Sequence, residues 1–207
     1  EKIAFDAVYT GYLGSTAQIS YVKEIFASLL KDGGLTIVDP AMADNGALYP
    51  AFDKEYVDAM KTLAFTADII LPNITEACFL TDTEYQESYG EDYIADLLDR
   101  LTAAGAKTIV LTGVSYTPSK TGVVVREKGE TRYYEHPKVA KGCHGTGDVY
   151  ASAFVGALLN GLDAYEAAAL AADYTLQCIR LTQGDEAHWY GVKFELALPE
   201  YIRALGK

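Results

Sequence analysis

The chain of 207 residues is short of basic side chains. Lys and Arg number 17 against 29 Asp and Glu, which leaves a formal net charge of −12 at pH 7. A surface this acidic repels both nucleic-acid backbones and anionic membranes, so we expect neither as a partner. Phosphorylated small molecules stay possible ligands, because metal ions and backbone dipoles neutralise phosphate charge inside a site.

Cysteine and long apolar runs are scarce as well. The three cysteines, Cys78, Cys143 and Cys178, are odd in number and lack metal-ligand spacing, which excludes a disulfide scaffold and is typical of a reducing cytoplasm. No apolar run approaches the roughly 20 residues that cross a bilayer, and no signal-peptide pattern is visible. No Gly-x-x-x-x-Gly-Lys-[Ser/Thr] segment occurs, which argues against P-loop nucleotide binding. We therefore expect a cytoplasmic protein.

Half of the residues are hydrophobic, so a buried core is expected and disorder is not. Apolar runs and helical spacing alternate along the chain, which predicts a three-layer α/β/α fold with a mainly parallel central sheet plus a β-hairpin. No repeat or linker interrupts residues 1–207, so we predict a single domain. The predicted strands are 5–13, 35–38, 68–71 and 108–111, the hairpin is 123–125 with 131–134, and the helices are 15–31, 53–65, 75–80, 92–104, 147–160, 163–182 and a last short one with Pro199 in its first turn.

Residues 142–148 read Gly-Cys-His-Gly-Thr-Gly-Asp and precede a small, apolar helical run. The glycines let several backbone N–H groups point at one spot, and a helix N-terminus adds unpaired N–H groups and a positive dipole end. Asp148 would lie in the first helical turn, where a carboxylate can accept a proton beside a phosphate. This pattern favours phosphoryl transfer to a hydroxyl, although a turn before a helix with an acidic first turn explains the same residues.

Four polar residues follow predicted strands: Asp39, Asn73, Glu76 and Thr112. Ligands gather at the carboxyl ends of parallel strands, so we expect these side chains in one crevice with the glycine turn. Asp39, Glu76 and Asp44 offer oxygen ligands for Mg²⁺, whereas Asn73 and Thr112 offer neutral partners for phosphate. Each also has a structural explanation, since Asp39 precedes a proline and Asn73 with Glu76 matches a helix capping box.

Three segments together resemble the pyridoxal kinases of the ribokinase-like superfamily: residues 39–46, 72–76 and 145–148. They occur in the family's order, and the likeness extends over essentially the whole chain. The resemblance implies ATP-dependent phosphorylation of the 5′-hydroxyl of pyridoxal and related B6 vitamers. It also implies a homodimer, and it leaves open whether a monovalent cation is required.

The resemblance assigns roles to individual residues. Asp148 would be the base, and Gly145, Thr146 and Gly147 would stabilise the transferring phosphoryl group. Asp39 and Glu76 would hold Mg²⁺, and the segment with Asp44 and Tyr49 would cover the site. The residues expected to bind the nucleotide are Asp39, Asn73, Glu76, Thr112, Gly113, Asp44 and Tyr49.

Cys143 and His144 resemble a subgroup of these kinases, found in Gram-positive bacteria, that also phosphorylates hydroxymethylpyrimidine. A thiol near a helix N-terminus can have a lowered pKa, and its thiolate could add to the aldehyde of pyridoxal as a hemithioacetal while His144 assists proton movement. The alternative for Cys143 is a small buried residue.

Nothing before Phe5 matches the strand and glycine loop with which family members line the vitamin pocket, so we expect the chain to be N-terminally incomplete. Three other functions stay open: a hydroxymethylpyrimidine kinase of thiamine synthesis, a sugar or nucleoside kinase, and a catalytically silent nucleotide-binding module.

Overall fold

The computed structural model describes residues 3–139 and 145–207. Its strands are β1 (Phe5–Thr10), β2 (Leu30–Val38), β3 (Ala43–Asp44), β4 (Ala47–Leu48), β5 (Ile69–Ile70), β6 (Thr108–Val114), β7 (Lys120–Glu127) and β8 (Glu130–Pro137). Its helices are α1 (Thr16–Leu29), α2 (Lys54–Ala64), α3 (Ile74–Thr81), α4 (Glu91–Ala103), α5 (Thr146–Leu159), α6 (Ala164–Thr182) and α7 (Phe194–Ala204). Within the described ranges, no helix combines the length and the apolar character that a membrane crossing requires.

The described residues group into two compact units. One contains the chain up to Val114 together with Arg126–Thr131, and the other contains Ser115–Val125 and the chain from Arg132 onwards. The prediction of a single domain stays a prediction.

The first unit is built on four parallel strands in the order β1-β2-β5-β6. Helices connect successive strands, as parallel pairing requires. The strand residues Ile37, Val38, Ile70 and Ile109 are fully or almost fully buried, which explains why these strands read as continuous apolar runs. The predicted α/β class with a mainly parallel sheet is confirmed.

The boundary between α1 and β2 differs from the prediction. The helix was predicted to run to residue 31 and the strand to begin at residue 35, but α1 ends at Leu29 and β2 already contains Gly33 and Gly34. The pairing with β1 shifts register between Phe5 and Ala7, and Gly33 adopts a φ of +76° beside this irregularity. The glycine therefore serves a bulge in a strand, a role that a local pattern does not distinguish from a helix end.

No element was predicted between the strand that ends at residue 38 and the helix that begins at residue 53, but this segment contains the small antiparallel hairpin β3–β4. Ala43 pairs with Leu48, and Asp44 pairs with Ala47. The two turn residues, Asn45 and Gly46, have φ values of +51° and +78°, as a two-residue hairpin turn requires.

The second unit contains the helices α5, α6 and α7. Pro199 lies inside α7 and not in its first turn as predicted. The helix starts earlier because tertiary contacts hold this segment: the Lys193 N–H donates to Thr182 Oγ1 at 2.8 Å, and the Tyr201 hydroxyl donates to the Ala153 carbonyl at 2.6 Å.

The predicted β-hairpin is confirmed as β7–β8, with its turn at Lys128 and Gly129.

Candidate functional site

Hydrogen bonds align the carboxyl ends of the strands in the first unit. The Asp39 N–H donates to the Thr10 carbonyl at 2.9 Å, and the Thr112 N–H donates to the Pro72 carbonyl at 2.9 Å. Asn73 and Thr112 form a parallel bridge. Asp39, Asn73 and Thr112 therefore lie at one edge of the sheet, as their sequence positions predicted; β6 continues past Thr112 to Val114.

Asn73 and Glu76 form the capping box that the structural explanation predicted. Asn73 Oδ1 accepts from the Glu76 N–H at 2.9 Å, and Glu76 Oε2 accepts from the Asn73 N–H at 2.9 Å. The arrangement satisfies two N–H groups that a helix start would otherwise leave unpaired. The capping box therefore starts α3 at the edge of the sheet where the carboxyl ends of the strands lie.

Glu76 does more than cap the helix. The residue is 2 % exposed, and its Oε1 accepts from the Met42 N–H at 2.9 Å and from the Ala43 N–H at 3.5 Å. Burial, and then the charge of Asp39, raise the pKa of Glu76 to about 8, although the N–H donors act in the opposite direction. Two carboxyl groups thus share a poorly solvated place, which is typical of sites that bind a cation or move a proton.

Two further side chains at the start of α3 hold the β3–β4 hairpin. Asn73 Nδ2 donates to the Ala43 carbonyl at 2.8 Å, and Thr75 Oγ1 accepts from the Gly46 N–H at 3.1 Å. Both ends of the Asn73 amide are therefore engaged by protein atoms. Thr75 was not predicted as a site residue, although its position between Asn73 and Glu76 was the available signal.

The structure does not gather the three proposed Mg²⁺ ligands into one cluster. In the described part of the chain, no group of three or more His, Cys, Asp or Glu side chains is placed to hold a metal. The Asp44 carboxylate instead accepts from the backbone N–H and from Nδ2 of Asn45, both at 2.9 Å. Asp39 and Glu76 remain a pair, which fits Mg²⁺ because this ion commonly takes one or two carboxylates and completes its shell with phosphate oxygens and water.

Tyr49 lies directly after the hairpin, and its N–H donates to the Met42 carbonyl at 2.9 Å. Its ring is partly exposed and lies 6.4 Å from that of Phe52. Phe52 in turn stacks on Tyr56 with ring centroids 3.9 Å apart and lies 5.2 Å from Tyr12, which is 55 % exposed. This aromatic cluster was not predicted from the sequence, because Tyr12 and Phe52 lie in loops, where no periodicity marks them.

The glycine motif lies in the second unit, at the start of α5. Gly145 is the N-cap residue with a φ of +74°, a conformation that favours glycine. Gly147 and Asp148 are exposed in the first turn. A Cβ added at Gly147 would meet no described atom within 4 Å. Cys143 and His144 lie outside the described residues, so the roles assigned to them stay predictions.

Gly113 also has a left-handed backbone, with a φ of +75°, and it is exposed next to Thr112. A Cβ there would meet no described atom either. The backbone at this end of β6 is therefore open to a ligand, as its assignment to nucleotide binding requires.

Solved structures resemble this chain closely. A protein from Bacteroides thetaiotaomicron described as a phosphomethylpyrimidine kinase is 34 % identical with a TM-score of 0.89, and the match covers 96 % of this chain and 69 % of that one. A second crystal form of that protein contains pyridoxal. The pyridoxal kinase from Lactobacillus plantarum is 29 % identical with a TM-score of 0.86, over 98 % of this chain and 72 % of that one.

Two curated proteins are also similar to this chain. The pyridoxine kinase of Bacillus subtilis and the thiamine biosynthesis bifunctional protein ThiED of Geobacter sulfurreducens are each 28 % identical over 87 % of this chain. The chain spans 66 % of the first and 36 % of the second. The family model described as phosphomethylpyrimidine kinase matches residues 1–191. The resemblance noted in the sequence is thereby confirmed: the chain belongs to the phosphomethylpyrimidine kinase family of the ribokinase-like superfamily.

Proposed function

We propose that the protein transfers the γ-phosphoryl group of ATP to the 5′-hydroxyl of pyridoxal and related B6 vitamers. The pyridoxal-containing structure of the Bacteroides thetaiotaomicron relative supports this choice, as do the pyridoxal and pyridoxine kinases among the similar proteins. The exposed face of Tyr12 supports it too, because an open aromatic ring suits the stacking of a planar heterocycle.

The observation that carries the proposal is Gly147 in the first turn of α5. Gly145 needs its glycine for a left-handed backbone, but no described atom would obstruct a side chain at Gly147. Glycine is a poorer helix former than alanine, by up to about 1 kcal/mol in a helix interior. A phosphoryl group that approaches the N–H groups of the helix start explains why this position stays bare.

Asp148 stands in the same turn and takes the proton of the attacking hydroxyl. The hydroxyl oxygen forms a bond to the γ-phosphorus while the bond to the bridging oxygen of ADP breaks, and the N–H groups of Gly145, Thr146 and Gly147 stabilise the charge on the moving group. Asp39 and Glu76 hold Mg²⁺, which neutralises phosphate charge when bound. Asn73 positions the start of α3, and Thr112 with Gly113 contacts the nucleotide.

Two substitutions test the proposal. Asp148→Asn should abolish turnover and largely spare nucleotide affinity, because the amide cannot accept the proton. Gly147→Ala should raise the melting temperature, since alanine favours the helix, yet it should reduce turnover because the methyl group stands where the phosphoryl group approaches. Phosphorylated vitamer is measured by chromatography and stability by thermal denaturation. Full turnover in either variant would contradict the proposal.

The alternative substrate is hydroxymethylpyrimidine, which the description of the family model and the bifunctional thiamine-biosynthesis relative favour. Parallel assays with pyridoxal, pyridoxine and hydroxymethylpyrimidine separate the two. Cys143→Ala should impair pyridoxal more than pyridoxine, which has no aldehyde, whereas equal losses would remove the hemithioacetal hypothesis. Nucleotide binding without any turnover would favour the catalytically silent module. The protein acts as a homodimer, which the family resemblance supports, and in the cytoplasm, which the cysteine usage supports.

A further inference from the structure

The β3–β4 hairpin is bound to the first turn of α3 at two levels. At its base, Glu76 accepts from the Met42 N–H, and the Asn73 amide donates to the Ala43 carbonyl. At its tip, the Gly46 N–H donates to Thr75 Oγ1 at 3.1 Å. Glu76 and Asn73 also form the capping box, but the Thr75 hydroxyl is directed to the hairpin turn.

The hairpin has little strength of its own. Each of its strands is two residues long, and isolated hairpins are marginal in water even when they are longer. The Asn45–Gly46 turn is a favourable sequence for two consecutive left-handed residues, but two-residue strands add only a few pairing contacts to it. The position of the tip therefore depends on what it contacts.

Two groups enclose the tip. Thr75, which is 3 % exposed, holds the Gly46 N–H. The ring of Tyr85 lies close on the side where a Cβ of Gly46 would point, with its Cδ1 atom 2.7 Å from that position. Gly46 thus fits against an aromatic ring while its N–H is fixed by a buried hydroxyl, which restricts the turn to one placement.

The turn also controls the Asp44 carboxylate. Both carboxylate oxygens accept from Asn45, one from its backbone N–H and one from its side-chain amide. Because Asn45 and Gly46 form the same turn, a shift of the tip moves the carboxylate with it.

We propose that Thr75 is a positioning residue: its hydroxyl holds the tip of the β3–β4 hairpin and thereby places Asp44 and the adjoining segment over the nucleotide. The assignment rests on the proposed function for the identity of the ligand. The hydrogen bond between the Gly46 N–H and Thr75 Oγ1 does not depend on the proposed function. The positioning role and the proposed function can therefore be refuted independently.

Hydrogen exchange tests the structural half without any ligand. Thr75→Val keeps the branched shape but removes the acceptor, and Thr75→Ser keeps the acceptor. The Gly46 amide should exchange roughly three- to tenfold faster in Thr75→Val, as the net value of one hydrogen bond implies, and at the wild-type rate in Thr75→Ser. Equal exchange in wild type and Thr75→Val would overturn the proposal. Thr75→Ala is the second acceptor-free variant should the valine prevent folding.

Kinetics test the functional half. Thr75→Val should raise the KM for ATP and the ratio of ATP hydrolysis to vitamer phosphorylation, because a loose cover admits water, and Thr75→Ser should restore both. The melting temperature should change by less than about 4 °C, so a merely structural loss would not produce this pattern. Faster Gly46 exchange with unchanged KM and unchanged hydrolysis would overturn the positioning role. A wild-type protein that phosphorylates none of the three alcohols would refute the proposed function, and the effect of Thr75→Val on ATP affinity would then decide for or against Thr75.

Discussion

Carboxylates at the two ends of the parallel sheet in the first unit have opposite electrostatic surroundings. At the amino ends of the strands, Asp68 accepts from the N–H and the hydroxyl of Thr36, at 3.0 and 2.8 Å, and from Lys107 Nζ at 2.8 Å. At the carboxyl ends, Glu76 accepts from backbone N–H groups, and the charge that acts on it most is that of a second carboxylate, Asp39.

The pKa shifts follow this difference. Burial alone would raise the pKa of Asp68, but the hydrogen bonds from Lys107 and Thr36 outweigh it and hold the pKa below its usual value. Burial and Asp39 together raise the pKa of Glu76. The charge at the amino end is compensated within the fold and stabilises it. Ionisation of Glu76 beside Asp39 costs free energy in the unliganded protein, as expected where a cationic ligand completes the balance.

The largest effect should come from Glu76→Ala. It leaves the N–H groups of Met42 and Asn73 without their acceptor, at a cost of about 1–3 kcal/mol for each buried group, and turnover should be lost. Glu76→Gln is the matched control because it keeps the volume and one acceptor. Its NH2 group faces one of the backbone N–H donors, so it should regain part of the melting temperature without regaining activity. If Glu76→Gln were fully active, the carboxylate would have no role beyond holding the hairpin.

Asp39→Asn should change stability and function in opposite directions. Removing this charge relieves Glu76, so the free energy of unfolding of the unliganded protein should rise by an amount on the order of 1 kcal/mol, and the melting temperature should rise with it. The affinity for Mg²⁺–ATP should fall about 10- to 100-fold, as expected when a carboxylate near a metal is lost. Thermal denaturation and calorimetry with Mg²⁺–ATP measure the two effects. If the melting temperature and the affinity for Mg²⁺–ATP both fell, Asp39 would stabilise the unliganded fold, and the proposed difference between the two ends of the sheet would be wrong.

The smallest effect should come from Asp68→Asn, and it should be one of stability alone. The Asp68 side chain is partly exposed, so screening limits the loss to about 1 kcal/mol or less, and kinetic constants should not change. Because the folded-state pKa is lowered, the stabilisation is present above the unfolded value of 3.8 and is lost as the pH falls through the folded value. The difference in melting temperature between wild type and variant should therefore vanish in acid. A difference that persisted there would show that the charge is not its source.

Much of the fold could be predicted because helix caps and apolar strand runs depend on residues that are close together in the sequence. Ser15 and Asp53 cap α1 and α2 as their positions indicated. The errors came from contacts distant in sequence. Gly33 and Gly34 lie in β2 because of pairing with β1, and α7 begins before Pro199 because other elements hold that segment.

The same division applies to the candidate site. The placement of Asp39, Asn73 and Thr112 followed from a general rule about strand ends, so it could be predicted. The burial of Glu76 and the contact of Thr75 could not, because each depends on a loop about 30 residues earlier folding back onto α3. Asp44 was placed with the metal ligands on residue type alone. The turn that engages its carboxylate is formed by the adjacent Asn45 and Gly46, and the Asn-Gly pair was a local signal for it that was not used.

The Asn45–Gly46 turn has a consequence for the chemical durability of the protein. An asparagine followed by glycine is the dipeptide most prone to deamidation, in which the glycine nitrogen attacks the asparagine amide and closes a succinimide ring. Here that nitrogen is committed to Thr75 and the asparagine amide to Asp44, so neither reacting partner is free to approach the other. The hydrogen bond from the Gly46 N–H to Thr75 therefore also slows deamidation of Asn45. Stored Thr75→Val protein should accumulate aspartate and isoaspartate at residue 45 sooner than the wild type.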